Sequence, residues 1–219
     1  PEKCAFGVTS GALLGHIVRK KGIAIDPNKI KAIIEAKTPT NAKALSRFLG
    51  QIRWLSRMLR YLVDFTTPLH IVIHRMPFKW SAIEDKVYEA LKIMLTQAPI
   101  VQAPDWTKPF HVFVDALDIT IGNVLMKLTK PNWYRPIYYA SRKLSDAERN
   151  YSMTEPEALG MIYNINKFQH YLLGRKFTFH VDHSALLYLV SKQELISKLA
   201  RWTFTFHIDH VTLLYLVEK

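Results

Sequence analysis

The stretch FHVFVD, residues 110–115, decides the fold of this chain. It is a short apolar run that ends on an acid, which indicates a buried strand. The sequence after it predicts these elements in order: strands at 119–128 and 135–140, a helix at 154–171, a strand at 177–181 and a helix at about 184–190. Three strands, a helix, a strand and a helix are typical of a mixed α/β layer domain.

The sequence before this region has a different pattern. Residues 4–18 alternate loosely between apolar and small or polar positions, which predicts a hairpin of short strands. Apolar residues at helical spacing then predict three helices, over residues 28–36, 42–61 and 83–98. Prolines at positions 99, 104 and 109 cluster between the two patterns. We therefore expect two domains, residues 1–103 and residues 104–219.

Composition limits the classes of function. The chain has 30 Lys and Arg against 18 Asp and Glu, a formal net charge of +12. This surplus favours a polyanionic partner such as nucleic acid or an anionic membrane surface, although a basic protein without such a partner has the same composition. No stretch approaches 18 uninterrupted apolar residues, so no membrane span is predicted.

The ends and the cysteine content give two further expectations. Cys4 is the single cysteine, which excludes an internal disulfide and a cysteine-rich zinc site. It favours a reducing intracellular compartment, cytoplasmic or nuclear. The chain begins Pro1-Glu2-Lys3, without an initiator methionine or a signal-peptide pattern, and we expect a piece of a longer polypeptide.

The predicted helix 42–61 has a basic side. Its apolar residues recur at steps of three and four, and Arg47, Arg53 and Arg57 lie mostly off that apolar face. A basic helix side can follow a phosphate backbone, and it can equally be a solvated surface.

Three acids occupy positions that suit metal-dependent chemistry. Asp115 and Asp182 each end a predicted strand, and Glu157 lies in the first turn of a predicted helix. Ligands of α/β sheets bind outside the carboxyl ends of parallel strands. Carboxylates at such an edge suit Mg²⁺, and two ions about 3.5–4 Å apart can clamp the attacking and leaving oxygens of a phosphoryl displacement. The pattern therefore fits a metal-dependent nuclease.

Each acid also has a purely structural interpretation. Thr154 and Glu157 match a helix capping box, in which the glutamate satisfies the helix N-terminus. Asp182 could cap the predicted helix 184–190, and Asp115 could mark a strand-to-turn junction. Taken one residue at a time, the structural interpretation is favoured.

One segment is repeated. Residues 177–190 (FTFHVDHSALLYLV) and 204–217 (FTFHIDHVTLLYLV) are identical at eleven of fourteen positions. Solenoids need three or more copies to bury a shared core, so a local duplication is the simpler interpretation. The histidines of the two copies suggest packed or exposed side chains more than a zinc site.

Two groups of motifs carry a family resemblance. The first group comprises residues 3–6, 14–18, 22–30, 47–50, 78–80 and 95–99. The second comprises residues 112–125, 136–144, 154–159 and 181–183, with Glu148 and Tyr151. In this order and spacing the chain resembles the reverse transcriptases of Ty3/gypsy-type retrotransposons along nearly its whole length. The first group is similar to the end of the palm, the thumb and the connection, and the second is similar to the RNase H-like domain.

The resemblance implies a fold and an activity. The expected fold is α/β (α+β), an RNase H-like mixed sheet flanked by helices and preceded by a mainly helical thumb and connection segment with a short β-hairpin. The implied activity is ribonuclease H cleavage of the RNA strand of an RNA–DNA hybrid, with two Mg²⁺ or Mn²⁺ ions. The family register makes Glu157, rather than Glu155, a ligand together with Asp115 and Asp182. The residues expected to contact nucleic acid are Arg47, Arg53, Arg57, Arg142 and Lys143.

Further expectations concern partners and departures from the family pattern. The remainder of a polyprotein is an expected partner, a membrane is not, and the family's polymerase aspartates would lie upstream of Pro1. Leu117 stands where the family usually has serine, and Trp54-Leu55 stand where it has two tyrosines. Residues 211–219 replace a turn and a helix that carry a fourth acid, so a second metal ion is expected to bind poorly. An inactive, nucleic-acid-binding remnant of a decayed retrotransposon polyprotein is therefore the alternative, and an interaction fragment without nucleic acid is a third.

Overall fold

The computed structural model describes residues 7–117, 119–131, 133–149, 154–181 and 202–208. The chain divides into two compact units, residues 1–103 and residues 104–219. The first unit contains a small sheet and four helices, and the second contains a five-stranded sheet with helices. A mixed α/β sheet preceded by a mainly helical segment confirms the predicted fold class.

The small sheet of the first unit has three strands rather than the two of the predicted hairpin. Strands β1 (Ser10–Leu13), β2 (His16–Arg19) and β3 (Gly22–Ile25) form an antiparallel meander, and residues 4–6 lie outside the described residues. Gly22 has a φ of +130°, and a Cβ there would lie 2.5 Å from the carbonyl oxygen of Val101. Ile23 and Val101 exchange backbone hydrogen bonds of 2.7 and 3.0 Å, which tie the end of the unit to its sheet.

Four α-helices complete the first unit. They are α1 (Pro27–Ile34), α2 (Ala42–Trp54), α3 (Leu62–Ile73) and α4 (Ala82–Thr96), with a 3-10 turn at Ser56–Met58. The side chains of Asp26 and Asn41 cap α1 and α2, and Ser81 forms a capping box with Glu84 at α4. These caps satisfy backbone N–H groups that have no partner within their helices.

The prediction of one helix over residues 42–61 is wrong at its C-terminal end. Helix α2 ends at Trp54, and Tyr61 takes a left-handed conformation with a φ of +50° before α3 begins. Leu55 and Leu59 lie beyond the helix but are also buried. Their apolar side chains therefore continue the helical spacing in the sequence past the residue at which α2 ends. Helix α3 was not predicted because Pro68 lies inside it.

The second unit is built on a five-stranded mixed sheet of order β6-β5-β4-β7-β8. Its strands are β4 (Phe110–Ala116), β5 (Thr120–Lys130), β6 (Trp133–Lys143), β7 (Phe177–Val181) and β8 (Phe204–Ile208). The first three form an antiparallel meander, whereas β7 pairs in parallel with both β4 and β8. The predicted strands are present. Strand β5 begins one residue later than predicted and ends two residues later, and β6 extends further than predicted at both of its ends.

Helices α5 (Asp146–Arg149), α6 (Thr154–Lys167) and α7 (Gln169–Leu172) belong to the second unit. The predicted helix 154–171 is therefore divided at Phe168, which is fully buried. The predicted helix 184–190 lies outside the described residues. Helix α6 packs against β4 and β5, and its buried residues share a core with all five strands of the sheet. That core includes Val112, Val114, Met161, Ile165, Phe168, Phe177, Phe179 and Phe206.

The repeated segment forms neighbouring strands. In the described parts of the two copies, strands β7 and β8 pair in parallel and in register, so each of residues 177–181 lies opposite the same position of the other copy. The pairs are Phe177–Phe204, Thr178–Thr205, Phe179–Phe206, His180–His207 and Val181–Ile208. The Thr178 and Thr205 hydroxyls share a 3.0 Å hydrogen bond. The duplication therefore builds two adjacent positions of the sheet.

Charge is distributed unevenly between the units. Residues 1–103 contain 16 Lys and Arg against 7 Asp and Glu, a formal charge of +9, and residues 104–219 account for the remaining +3. Within the described residues, no helix has the length and apolar character needed to cross a bilayer.

Candidate active site

Asp115 lies at the end of the central strand of the second unit. It is the penultimate residue of β4 and is exposed. Across the sheet it pairs with Gly122 of β5, which pairs with Ser141 of β6. Since neighbouring strands are about 4.8 Å apart, this row spans roughly 10 Å from Asp115 to Ser141. Asp115 therefore shares one end of the sheet with the C-terminal end of β6.

Gly160 brings helix α6 close to the end of β4. A Cβ at Gly160 would lie 2.6 Å from Cγ1 of Val114 and 3.0 Å from Cγ2 of Ile121. The first distance is shorter than real Cβ contacts and the second is tight, so glycine permits this approach of the α6 backbone to the two side chains. Val114 precedes Asp115, and Glu157 lies three residues before Gly160 on α6. Positions three apart on a helix are neighbours, with Cβ atoms about 5–6 Å apart.

The two acids flank this close contact. Strand alternation turns Asp115 toward the face opposite Val114, and the acid lies one residue from the end of the strand. Glu157 is half-buried in the first turn of α6. The structure thus brings together the backbone segments that carry Asp115 and Glu157, with the Asp115 side chain turned from the sheet face that α6 covers. The alternative capping role of Glu157 involves Thr154, whose side chain lies outside the described residues.

A buried amide pair fixes the position of α6 on the sheet. The Asn164 side-chain amide donates a 2.7 Å hydrogen bond to the Asn123 side-chain oxygen, and Asn164 is fully buried. A buried polar contact of this kind is costly to break because each partner would lose its hydrogen bond without gaining water. Together with Gly160, this hydrogen bond fixes the position of α6 along β5.

Asp182 lies outside the described residues, so the third predicted ligand is not located. In the sequence it follows Val181, the last residue of β7. Strand β7 runs parallel to β4, with His180 opposite Phe113. In the part of the chain that the structure describes, no group of three His, Cys, Asp or Glu side chains is arranged to hold a metal ion. The carboxylate oxygens of Asp115 and Glu157 are the hard donors that Mg²⁺ prefers.

Arg142 and Lys143 occupy the same end of the sheet but differ in their surroundings. The Arg142 guanidinium donates hydrogen bonds of 2.8 and 2.9 Å to the two carboxylate oxygens of Glu148, and it also lies over the Tyr163 ring. These hydrogen bonds, with those from Ser145, lower the pKa of Glu148 to about 2. Lys143 is exposed. The geometry therefore gives Arg142 a structural contact and leaves Lys143 exposed to solvent.

Three histidines lie together on adjacent strands of the sheet. His111 Nδ1 and His180 Nε2 are 3.1 Å apart, and the rings of His180 and His207 are 4.8 Å apart. His180 stacks on Phe113 with ring centroids 3.9 Å apart. Burial and the two neighbouring histidines lower the pKa of His180 to about 3, and burial lowers the pKa of His111. The imidazoles of His111 and His180 are therefore neutral at pH 7 and are packed among aromatic rings on this face.

The first unit carries a separate basic surface on α2. Arg47 and Arg53 are exposed on this helix, whereas Arg57 is half-buried in the following 3-10 turn. Arg47 lines a cavity of about 720 Å³ together with Lys29, Gly50 and Trp54. Trp54 stacks on His16 with ring centroids 4.2 Å apart. The three predicted arginines thus do not form one helical face.

Sequence reasoning missed the residues that position α6. Gly160 and Asn164 were not singled out, and neither was Asn123. An isolated glycine inside a helical pattern is a signal for close packing. The two asparagines gave no such signal, because a strand position and a helix position 41 residues apart meet only in the folded chain.

Residues 105–210 match the family model described as the RNase H-like domain found in reverse transcriptase. Over 203 residues the chain is 35% identical to the retrovirus-related Pol polyprotein from transposon 297 of Drosophila melanogaster, covering 92% of this chain and 19% of that protein. It is 28% identical over 205 residues to the transposon Tf2-3 polyprotein of Schizosaccharomyces pombe, covering 91% of this chain and 15% of that protein. The chain spans a fifth or less of the length of these two relatives.

Solved structures with a similar fold come from foamy virus. The foamy viral protease-reverse transcriptase in complex with dsDNA has a TM-score of 0.79 at 19% identity, covering 95% of this chain and 46% of that chain. The same protein in complex with RNA/DNA hybrid has a TM-score of 0.78 at 18% identity, covering 100% and 32%. At such identities the similarity shows the fold.

Proposed function

Residues 105–210 belong to the family of RNase H-like domains found in reverse transcriptase, in a chain related to Ty3/gypsy-type transposon polyproteins, and from this we propose that the chain cleaves the RNA strand of RNA–DNA hybrids. The observation that carries the proposal is the close packing of Gly160 on Val114. It holds the first turn of α6, with Glu157, against the end of the strand that carries Asp115.

Asp115, Glu157 and Asp182 would hold divalent cations, Mg²⁺ or Mn²⁺. When bound, such ions supply Lewis acidity and a water molecule with a lowered pKa for attack on the phosphodiester. The donor chemistry fits, because carboxylates are the side chains that hard cations prefer. The protein itself contributes the placement of Asp115 and Glu157, which depends on the β4–α6 contact and on the buried Asn123–Asn164 hydrogen bond.

Substrate contacts would come from cations at the same end of the sheet and on α2. Lys143 is exposed at the end of β6, and Arg47 and Arg53 are exposed on α2. Contacts of this kind to phosphates are largely independent of sequence and weaken as salt concentration rises. Recognition of a hybrid by its shape and its 2′-hydroxyl groups is consistent with little base specificity.

The test is a cleavage assay on the whole chain. A hybrid with a labelled RNA strand is incubated with Mg²⁺, and in parallel with Mn²⁺, and the products are separated on a denaturing gel. We expect cleavage by the wild-type chain and a loss of at least about 100-fold for Asp115→Asn and Glu157→Gln, since each removes a charged metal ligand. Lys108→Ala, an exposed change in the same unit, serves as the control.

Two results would reject this proposal. Cleavage by Asp115→Asn at the wild-type rate would assign the activity to another site or to a contaminant. Salt-dependent binding of the hybrid with no cleavage by any variant would establish the alternative, an inactive nucleic-acid-binding remnant. The uneven charge of the chain, +9 in residues 1–103, favours binding in either case.

A further inference from the structure

The hairpin of β5 and β6 carries basic residues without acidic ones. Residues 120–143 contain Lys127, Lys130, Arg135, Arg142 and Lys143, and no Asp or Glu. Lys127 lies directly opposite Arg135 in the strand register. Like charges in directly opposed positions destabilise a strand pair, so this hairpin retains an arrangement that an anionic ligand would stabilise.

Neighbouring acids do not neutralise the outer end of this hairpin. Asp105 lies close enough to Lys127 for an electrostatic interaction between them. Among the residues that the structure describes, Lys130 and Arg135 form no ion pair with a carboxylate. Two cations at the outer end of an edge hairpin are therefore available to a ligand.

Trp133 lies between these two cations. The Lys130 ammonium is 5.9 Å and the Arg135 guanidinium 5.3 Å from the centroid of its ring. The side chain is 52% exposed although it is large and apolar. The Thr129 hydroxyl donates a 2.9 Å hydrogen bond to the Trp133 carbonyl oxygen, which fixes the backbone at the turn. An exposed aromatic ring is thus held in place with positive charge on its borders.

We propose that Trp133, Lys130 and Arg135 form a binding site for single-stranded nucleic acid, separate from the acidic end of the sheet. Proteins bind single strands by stacking bases on aromatic rings while cations follow the phosphates. A duplex offers its phosphates but keeps its bases stacked on one another, so the tryptophan favours an unpaired strand. The absence of carboxylates from the hairpin sequence disfavours a basic protein partner.

The site lies far from the proposed catalytic acids. Gly122, the partner of Asp115, and Lys130 are eight residues apart on β5. At about 3.4 Å per residue, the two ends of this strand are separated by roughly 27 Å. The outer end of the hairpin therefore binds nucleic acid independently of cleavage. An unpaired strand bound there would lie roughly 27 Å from the end of the sheet at which the hybrid is cleaved.

The test measures the affinity of the whole chain for a fluorescein-labelled oligothymidylate by fluorescence anisotropy at low salt. We expect Trp133→Ala to weaken binding about 5- to 150-fold, the range for loss of one stacked base, and Trp133→Phe to retain most of the affinity. A duplex of the same length should bind Trp133→Ala and wild type equally. Thermal melting verifies that each variant is folded.

A matched pair of double variants distinguishes the effect of local contacts on affinity from the effect of total charge. Lys130→Ala/Arg135→Ala and Lys108→Ala/Lys176→Ala remove the same charge from the same unit, and all four residues are outside the proposed catalytic end. We expect the first double variant to lose at least about tenfold more affinity for the oligonucleotide than the second, because its cations border the ring.

Three outcomes would overturn the inference. Wild-type affinity of Trp133→Ala for the oligonucleotide would exclude stacking on this ring. Equal losses in the two double variants would show attraction by net charge alone. Reduced binding of Trp133→Ala to vesicles containing phosphatidylserine, with oligonucleotide affinity unchanged, would assign the site to a membrane surface. Hybrid cleavage dependent on Asp115 is measured separately, so either proposal can fail without the other.

Discussion

Arg142 and Lys143 are adjacent in the sequence, yet their surroundings assign them different roles. The paired hydrogen bonds between Arg142 and Glu148 hold the end of β6 to α5, and both side chains are mostly buried, with 27% and 20% exposed. Lys143 is exposed at the same place. Their basic character was evident from the sequence, but only the fold distinguishes a structural arginine from an accessible lysine.

We predict that Glu148→Gln destabilises the second unit by about 1–2 kcal/mol, between the values for exposed and buried ion pairs. The pKa of Glu148 is lowered in the folded state to about 2 from 4.5. The pair therefore stabilises the fold above pH 4.5, and this contribution is lost as the pH falls toward 2. Urea unfolding at several pH values measures the difference, which should shrink with acidification.

The same pair distinguishes stability from binding. Arg142→Ala should lower the free energy of unfolding with little change in hybrid affinity, and Lys143→Ala should do the reverse. Equal hybrid affinity loss in the two variants would contradict the structural role of Arg142.

At the scale of elements, two glycines within helices have opposite surroundings. Gly160 of α6 faces Val114 and Ile121 at distances that exclude a Cβ, whereas a Cβ at Gly50 of α2 would meet nothing within 4 Å. Glycine inside a helix costs about 0.5–1 kcal/mol relative to alanine, so a packing requirement must compensate at Gly160.

We predict that Gly160→Ala destabilises the second unit by about 1–3 kcal/mol, the usual cost of overpacking, and reduces hybrid cleavage because α6 moves away from β4. The matched change Gly50→Ala should stabilise the first unit by about 0.5–1 kcal/mol and leave cleavage unchanged. Urea unfolding and the gel assay measure both. A stable and fully active Gly160→Ala variant would contradict the role given to the β4–α6 contact.

The elements themselves were predicted to different degrees. Strands β4 and β7 were predicted with nearly correct bounds, because a short apolar run between turn residues has few alternatives. Helix α3 was missed because Pro68 usually ends a helix, and α2 was extended too far by the buried Leu55 and Leu59. For the site, the sequence supplied the acids, but the contact that positions Glu157 depends on packing between distant segments.

For the whole molecule, the two units divide the charge unequally. Residues 1–103 carry +9 and residues 104–219 carry +3, while the candidate acids are all in the second unit. Electrostatic affinity for nucleic acid and cleavage should therefore respond to different sets of substitutions. Net charge and its division at residues 103 and 104 both follow from the sequence, whereas the exposure of the individual cations required the structure.

We predict that Arg47→Ala/Arg53→Ala lowers hybrid affinity at low salt and reduces the slope of log affinity against log salt concentration by about 2, one for each lost phosphate contact. Lys79→Ala/Lys86→Ala removes the same charge from exposed positions of the same unit and serves as the control. Affinity titrations at several salt concentrations give the slopes. If both double variants change the slope equally, α2 has no specific role.

Strands β7 and β8 are so similar that the sheet of the second unit has two nearly equivalent strand orders. The two strands share Phe-Thr-Phe-His and differ at their last residue by one methylene, Val181 against Ile208, worth about 0.8 kcal/mol on burial. Strand β4 can therefore pair nearly equally well with either strand. A sheet in which β7 and β8 exchange places has nearly the same strand–strand interaction energy. The choice between the two orders falls to the connections, because the chain runs from β6 through α6 and α7 directly into β7 and reaches β8 only after β7.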